Sequence, residues 1–246
     1  MNKNFKHLKT TLAQSLLIMT LLVSTTFAAP IKTGDPHYNK VGFFDIHVCN
    51  WPDRPLFFMT LFSTYDYKNV VSIDVIAPDK RLIKRLSLSK FRVVKSKSLG
   101  EKRVFINQIE IEKHWPNGWY TSKVIMKDGS EHLAKDYVII DKVGIVDSIE
   151  PINNAEEIKI PNQLQWQPTE GAALYQVFIR DLWNDGKLIY KSPLVSTPKL
   201  NLPKDLIQAD GWYSWMIHAR DGNKHVLLGD FNHGSLSPEY KFTTAP

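Results

Sequence analysis

Cysteine is almost absent from this chain of 246 residues, where Cys49 stands alone. One thiol cannot form an intrachain disulfide, so any stable domain must rest on packing rather than covalent staples. The Asn-x-Ser/Thr acceptor of N-glycosylation is missing as well. For an exported chain, both absences point to a bacterial rather than an animal source. No stretch sustains a helical apolar period, which argues against a helix bundle. His-x-x-x-His, Cys-x-x-Cys and His-Glu pairs are also lacking, and with them the usual ligand spacings of a zinc site.

What is present begins with a leader. Lys3, Lys6 and Lys9 precede an apolar run from about Leu16 to Val23, followed by Thr26-Phe27-Ala28-Ala29-Pro30. That order is expected of a secretory signal peptide over 1–28, cleaved after Ala28, and the run is too short to span a bilayer. No cysteine lies near the cut to carry a lipid anchor. A periplasmic or secreted protein with no transmembrane span after cleavage is therefore expected.

The 31 Lys and Arg exceed the 25 Asp and Glu, but three of the lysines lie in the leader, so the mature chain is close to neutral. Its charge is unevenly placed. Lys80, Arg81, Lys84, Arg85, Lys90, Arg92, Lys95, Lys97, Lys102 and Arg103 fall in one stretch whose only acid is Glu101. Leu86 and Leu88, then Phe91 and Val93, alternate there, which suggests strands or an edge hairpin. Such a strip could attract acidic polysaccharide, lipopolysaccharide phosphates or an acidic protein; alternatively, its lysines only protect a sheet edge from self-pairing. Nucleic acid is not expected for an exported chain without a recognition motif.

One short stretch occurs twice. Asn117-Gly118-Trp119-Tyr120 leads through Val124-Ile125-Met126 to Lys127-Asp128-Gly129, and Asp210-Gly211-Trp212-Tyr213 leads through Met216-Ile217 to Arg220-Asp221-Gly222. Matching turns, aromatics and spacing imply a duplicated unit. Two tandem β domains are expected, over 29–147 and 148–246, each of a size that holds its own core. In the first, Phe43 to Val48, Leu56 to Phe62, the alternating Val71, Ile73 and Val75, Val104 to Ile111, Tyr120 to Met126 and Leu133 to Ile140 read as strands. The unbroken apolar run from Leu56 suggests a strand buried on both faces. Lys142 to Pro161 reads as a linker running into the first strand of the second domain.

The second half carries Leu164-x-Trp166-x-Pro168, then Gly171-Ala172, then Tyr175-x-Val177-x-Ile179. Later come Gly211-Trp212-Tyr213-x-Trp215-x-Ile217-x-Ala219-Arg220 and a final stretch from Ser237 to Thr244. Over roughly 148–246 this resembles the fibronectin type III family. The resemblance implies an all-β fold of immunoglobulin-like β-sandwiches, with Trp166 and Trp215 in structural positions. It also implies that Tyr213 forms a tyrosine corner, with Tyr120 as its counterpart in the first half.

Several groups could carry function. Asp45, His47 and Cys49 alternate along one strand, about 6–7 Å apart per step. A thiol beside an imidazole is raw material for a nucleophile or a metal site, but same-strand neighbours two apart seldom reach hydrogen-bonding distance. The competing reading is a small buried thiol beside a surface histidine. Asp230 and His233 lie in a long loop-like stretch that could also supply a site. Asp181 to Gly186 lacks the alternating acids of a calcium loop, and Asn184-Asp185-Gly186 reads as a hairpin turn. With Tyr175 and Tyr213 inward, Phe178, Trp212 and Met216 should point outward, with Trp183 nearby. Such aromatics could bind a protein or sugars, or pack against the first domain. The expectation is a non-catalytic binding or scaffolding protein with no cofactor and no metal, whose partner is an envelope or extracellular protein or a polysaccharide. A thiol enzyme or metal site at Asp45, His47 and Cys49 is the alternative.

Overall fold

A computed structural model describes residues 34–222 and 231–246. The segment expected to be a signal peptide, His225 and Asp230 lie outside the described residues. The fold is all-β. In chain order the strands are β1 (Phe43–Asn50), β2 (Phe57–Thr64), β3 (Val70–Ile76), β4 (Leu82–Arg85), β5 (Phe91–Ser96), β6 (Gly100–Glu110), β7 (Gly118–Met126), β8 (Glu131–Val138), β9 (Ser148–Glu150), β10 (Ala155–Ile158), β11 (Gln163–Trp166), β12 (Leu174–Asp181), β13 (Lys187–Lys191), β14 (Lys199–Asn201), β15 (Trp212–Arg220), β16 (His233–Leu236) and β17 (Tyr240–Thr244). No helix among the described residues is long and apolar enough to cross a membrane.

Buried apolar side chains gather in two cores. In the first, Phe44, Ile46, Val48, Phe58, Phe62 and Phe105 from β1, β2 and β6 face Ile73, Val75, Tyr120, Val124 and Val138 from the sheet β4-β3-β7-β8. In the second, Tyr175, Val177, Ile179, Trp215, Ile217 and Phe242 face Leu164, Trp166 and Leu200 from the small sheet β14-β11-β9. The period-two alternation of these strands dictates both arrangements, because residues two apart share a face. Trp166 and Trp215 lie at the centre of the second core with ring centroids 6.5 Å apart. β2 is buried on nearly every position, as an unbroken apolar strand must be.

The duplicated stretch folds the same way twice. Tyr120 and Tyr213 both point into a core, and each hydroxyl ties to backbone upstream: Tyr120 donates to the Pro116 carbonyl at 2.9 Å, and the Gln208 N–H donates to Tyr213 at 3.0 Å.

Two local expectations are corrected. Val71 is 53% exposed while Val70 is buried, because the register between β3 and β7 shifts between Val70 and Ser72 and turns Val71 outward. Lys142 to Pro161 does run into a strand of the second half, but its linker part is not free of the core. Val143 and Val146 are buried in the second core, and the segment contributes β9 and β10.

The two cores share one sheet. β16 pairs antiparallel with β15 and parallel with β1, through Val48↔His233, Cys49↔Gly234 and Asn50↔Ser235. β1 in turn pairs with β2, so a ten-stranded sheet passes from one core to the other. Three further bonds cross this seam: Asn50 Nδ2 to the Val143 carbonyl, Ser235 Oγ to the Gly144 carbonyl and His233 with the Ile139 carbonyl, at 2.9, 2.6 and 2.7 Å.

Candidate functional sites

β16 covers only the later half of one edge of β1, which leaves the N–H groups of Phe44 and Ile46 without a strand partner. Buried backbone donors must be paired, and here the partners are irregular. Phe44 donates to the His37 carbonyl at 2.9 Å, Val48 donates to the Asn232 carbonyl at 2.8 Å, and between them Ile46 donates to Oδ2 of Asp136 at 2.8 Å. A carboxylate from β8 therefore takes the place of a missing strand. It gathers a polar cluster: His37 Nε2 lies 3.0 Å from Asp136 Oδ1, His37 Nδ1 2.8 Å from Asp35 Oδ1, and His47 Nε2 2.9 Å from Asp45 Oδ2. Burial alone would depress His37, but the Asp136 and Asp35 carboxylates outweigh it and hold its pKa up at about 9. Burial pushes Asp136 upward, with the His37 hydrogen bond opposing it.

Asp45, His47 and Cys49 do share one face, and all three are buried. The expected surface histidine is a buried one, covered by the Phe231 ring at 4.0 Å between centroids. His47 turns to Asp45 rather than to Cys49, whose thiol instead faces the His47 carbonyl at 3.8 Å. Burial drives the Cys49 pKa up to about 12, so the thiolate a nucleophile requires does not form near neutral pH. His233 belongs to β16 and pairs with Asp221 at 2.7 Å, within the seam rather than in a loop.

His218 of β15 also meets Phe231, edge to face with ring centroids 5.0 Å apart. Its Nδ1 accepts from Arg220 at 3.3 Å, which requires a neutral ring. Burial, then the charges of Arg220, His47 and Lys191, depress its pKa to about 3. The unfolded chain thus takes up this proton first, so stability is full above the unfolded pKa of 6.5 and declines as pH falls towards 3. His37 and His233, both raised, act in the opposite sense between pH 7 and about pH 5.5, where the unfolded chain is still taking up their protons, and so offset part of this loss. We expect His218 by itself to lower stability by roughly 2 kcal/mol from pH 7 to pH 5, from about 1.4 kcal/mol per pH unit, which urea unfolding reads as the difference in pH slope between the wild type and a variant without this imidazole. His218→Gln should remove this contribution and leave the opposing one of His37 and His233. An equal slope in the variant would assign it elsewhere.

The basic stretch divides between two sheets. β4 closes one edge of the sheet β4-β3-β7-β8 and β5 closes the end of the ten-stranded sheet, so the stretch runs along two free strand edges. Arg81 pairs with Asp79 at 3.0 Å, and Arg85 grips Asp74 through two bonds of 2.6 and 2.8 Å. Arg103 lies between the rings of Tyr67 and Phe91, at 4.2 and 4.1 Å. Lys80, Lys84, Lys90, Arg92 and Lys95 are exposed and Lys97 flanks them in the β5–β6 turn, as edge-guarding lysines are.

The outward residues meet as two pairs. Phe178 and Met216 are directly paired across β12 and β15, both half-buried, with Lys191 6.0 Å from the Phe178 ring. Trp183, 69% exposed in the β12–β13 turn, stands edge to face on Trp212 at 5.4 Å and 66°. Asp185 and Gly186 form that turn with φ of 52° and 66°. Trp212 opens β15 where it pairs with β17, whereas the seam lies at the other end, so the group sits away from the first core.

A second aromatic group escaped the sequence reading. Trp119 and Tyr137 pair across β7 and β8 with rings 5.2 Å apart and exposures of 46% and 52%. Trp119 is the repeat counterpart of Trp212. Within each Trp-Tyr pair the tyrosine turns in and the tryptophan out onto another outward ring, and the duplication itself was the signal for it.

No protein-family model and no curated protein matches this chain. Among solved structures, domains A168-A170 from titin align with 78% of the chain at 11% identity and a TM-score of 0.24. The chain spans 60% of that titin structure.

Proposed function

We propose that this is an exported, non-catalytic binding or scaffolding protein of a bacterial envelope or secretome, built of two immunoglobulin-like sandwiches over 29–147 and 148–246, which engages a protein partner through the outward tryptophans. The observation that carries this reading is Trp183, a 69% exposed indole propped edge to face on Trp212. A large ring held rigidly in solvent has little conformational entropy left to lose, which suits it as the anchor of a protein interface. The edge-to-face angle favours a protein over a polysaccharide, since a sugar platform needs open ring faces and one ring here covers the other. The joined sheet supports a scaffolding role because it carries strands of both cores, with Trp212 on it, while Trp119 and Tyr137 stand on the four-stranded sheet that packs against the first core.

The test is capture of envelope proteins by the immobilised mature chain at low and high salt. One defined partner should be retained at high salt, and Trp183→Ala with Trp212→Ala should weaken it by roughly thirtyfold or more. Undiminished capture by that double variant would sink the reading. Capture confined to low salt would transfer the role to the exposed lysines of β4 and β5.

A further inference from the structure

The cluster at the open edge of β1 has a second property. His37, Asp45 and Asp136 each offer a ligand atom, and the three atoms lie within 4.8 Å of one another. They come from the segment before β1, from β1 itself and from β8 of the facing sheet. Each is oriented by an outer partner: Asp35 on His37 Nδ1 at 2.8 Å, the Ile46 N–H on Asp136 Oδ2 at 2.8 Å, and His47 on Asp45 Oδ2 at 2.9 Å. Metal centres are built this way, with an outer hydrogen bond fixing the direction of each ligand. Two carboxylates, both more than nine-tenths buried, converge there. Like charges brought together away from water are costly, and a cation between them, or a proton on one of them, relieves that cost. His37 lies on Asp136 and His47 on Asp45, each at one carboxylate, whereas a divalent ion among the three ligand atoms meets both carboxylates at once.

We propose that His37, Asp45 and Asp136 form a structural site for one divalent first-row transition ion of the zinc type. One imidazole nitrogen and two carboxylate oxygens suit such an ion, with water completing the coordination. Bonds of about 2.0–2.2 Å require the ligand atoms to draw in by roughly an ångström. Binding replaces a proton on His37 Nε2, which passes to solvent. The ion then clamps the segment before β1 to both sheets of the first core, the task a disulfide would perform in a chain with more than one cysteine.

The test uses the full chain stripped with a chelator and titrated with Zn²⁺ or Co²⁺. One equivalent should bind, raising the melting midpoint by roughly 5–10 °C at about a hundredfold excess over Kd. Cobalt should develop visible bands at the same stoichiometry. Asp45→Asn and His37→Gln should abolish both effects, while His114→Gln, at an exposed histidine, should keep them. Should the site variants fail to fold by circular dichroism, the wild-type cobalt titration decides. Absence of stoichiometric binding, binding without a thermal shift, or loss of binding in His114→Gln would each overturn the proposal.

Discussion

Asp136→Ala is expected to cost about 3–5 kcal/mol of stability, the range for removing one partner of a buried charged pair. Two losses combine. The Ile46 N–H, which points away from β2 and donates to Asp136 at 2.8 Å, is left buried without an acceptor, and His37 loses the carboxylate on its Nε2. An unmet buried donor alone costs about 1–3 kcal/mol. Asp136→Asn separates the two, since its amide oxygen can still accept from Ile46 while the charge is gone. Urea unfolding of wild type and both variants should therefore rank the alanine well below the asparagine. Equal losses would mean that the backbone bond contributes little and the ion pair alone holds the edge. Stability unchanged in both would remove the role assigned to Asp136.

Gly234→Ala is expected to cost roughly 1–3 kcal/mol and to weaken the coupling between the two cores. Gly234 sits between Cys49 of β1 and Arg220 of β15, and a Cβ there would lie 2.7 Å from His218 Nε2 and 2.8 Å from Phe231 Cε2. Both rings are in close contact with other groups, since Phe231 meets His47 at 4.0 Å and His218 at 5.0 Å between centroids. The strain falls on the strand that joins the cores. Wild type should unfold with coincident fluorescence and circular dichroism transitions, as a single cooperative unit does. In the variant these should separate, the core that holds Trp166 and Trp215 melting apart from the one that holds Trp115. Coincident transitions at unchanged stability would show that the seam yields freely to an added methyl.

Local pattern and tertiary placement contributed differently to this protein. Alternation along Tyr175, Val177 and Ile179, and along Tyr213, Trp215 and Ile217, determined which faces are buried, because strand periodicity is a property of neighbours two apart. The repeated Gly-Trp-Tyr set both inward tyrosines for the same reason, and a turn such as Asn184-Asp185-Gly186 needs only its own backbone freedom. The sequence was also enough to place Asp45, His47 and Cys49 on one face. It could not tell that this face is buried, since what covers it, Phe231, lies almost two hundred residues away in the chain. Val71 and Val70 exchanged roles through a register shift that depends on β7 rather than on β3 alone. The joining of β1 to β16, the service of Asp136 as a strand's missing acceptor and the meeting of His37 with it were decided only by tertiary structure. Polar groups at a sheet edge follow no local period, and they are selected by whichever distant donor the fold leaves unpaired.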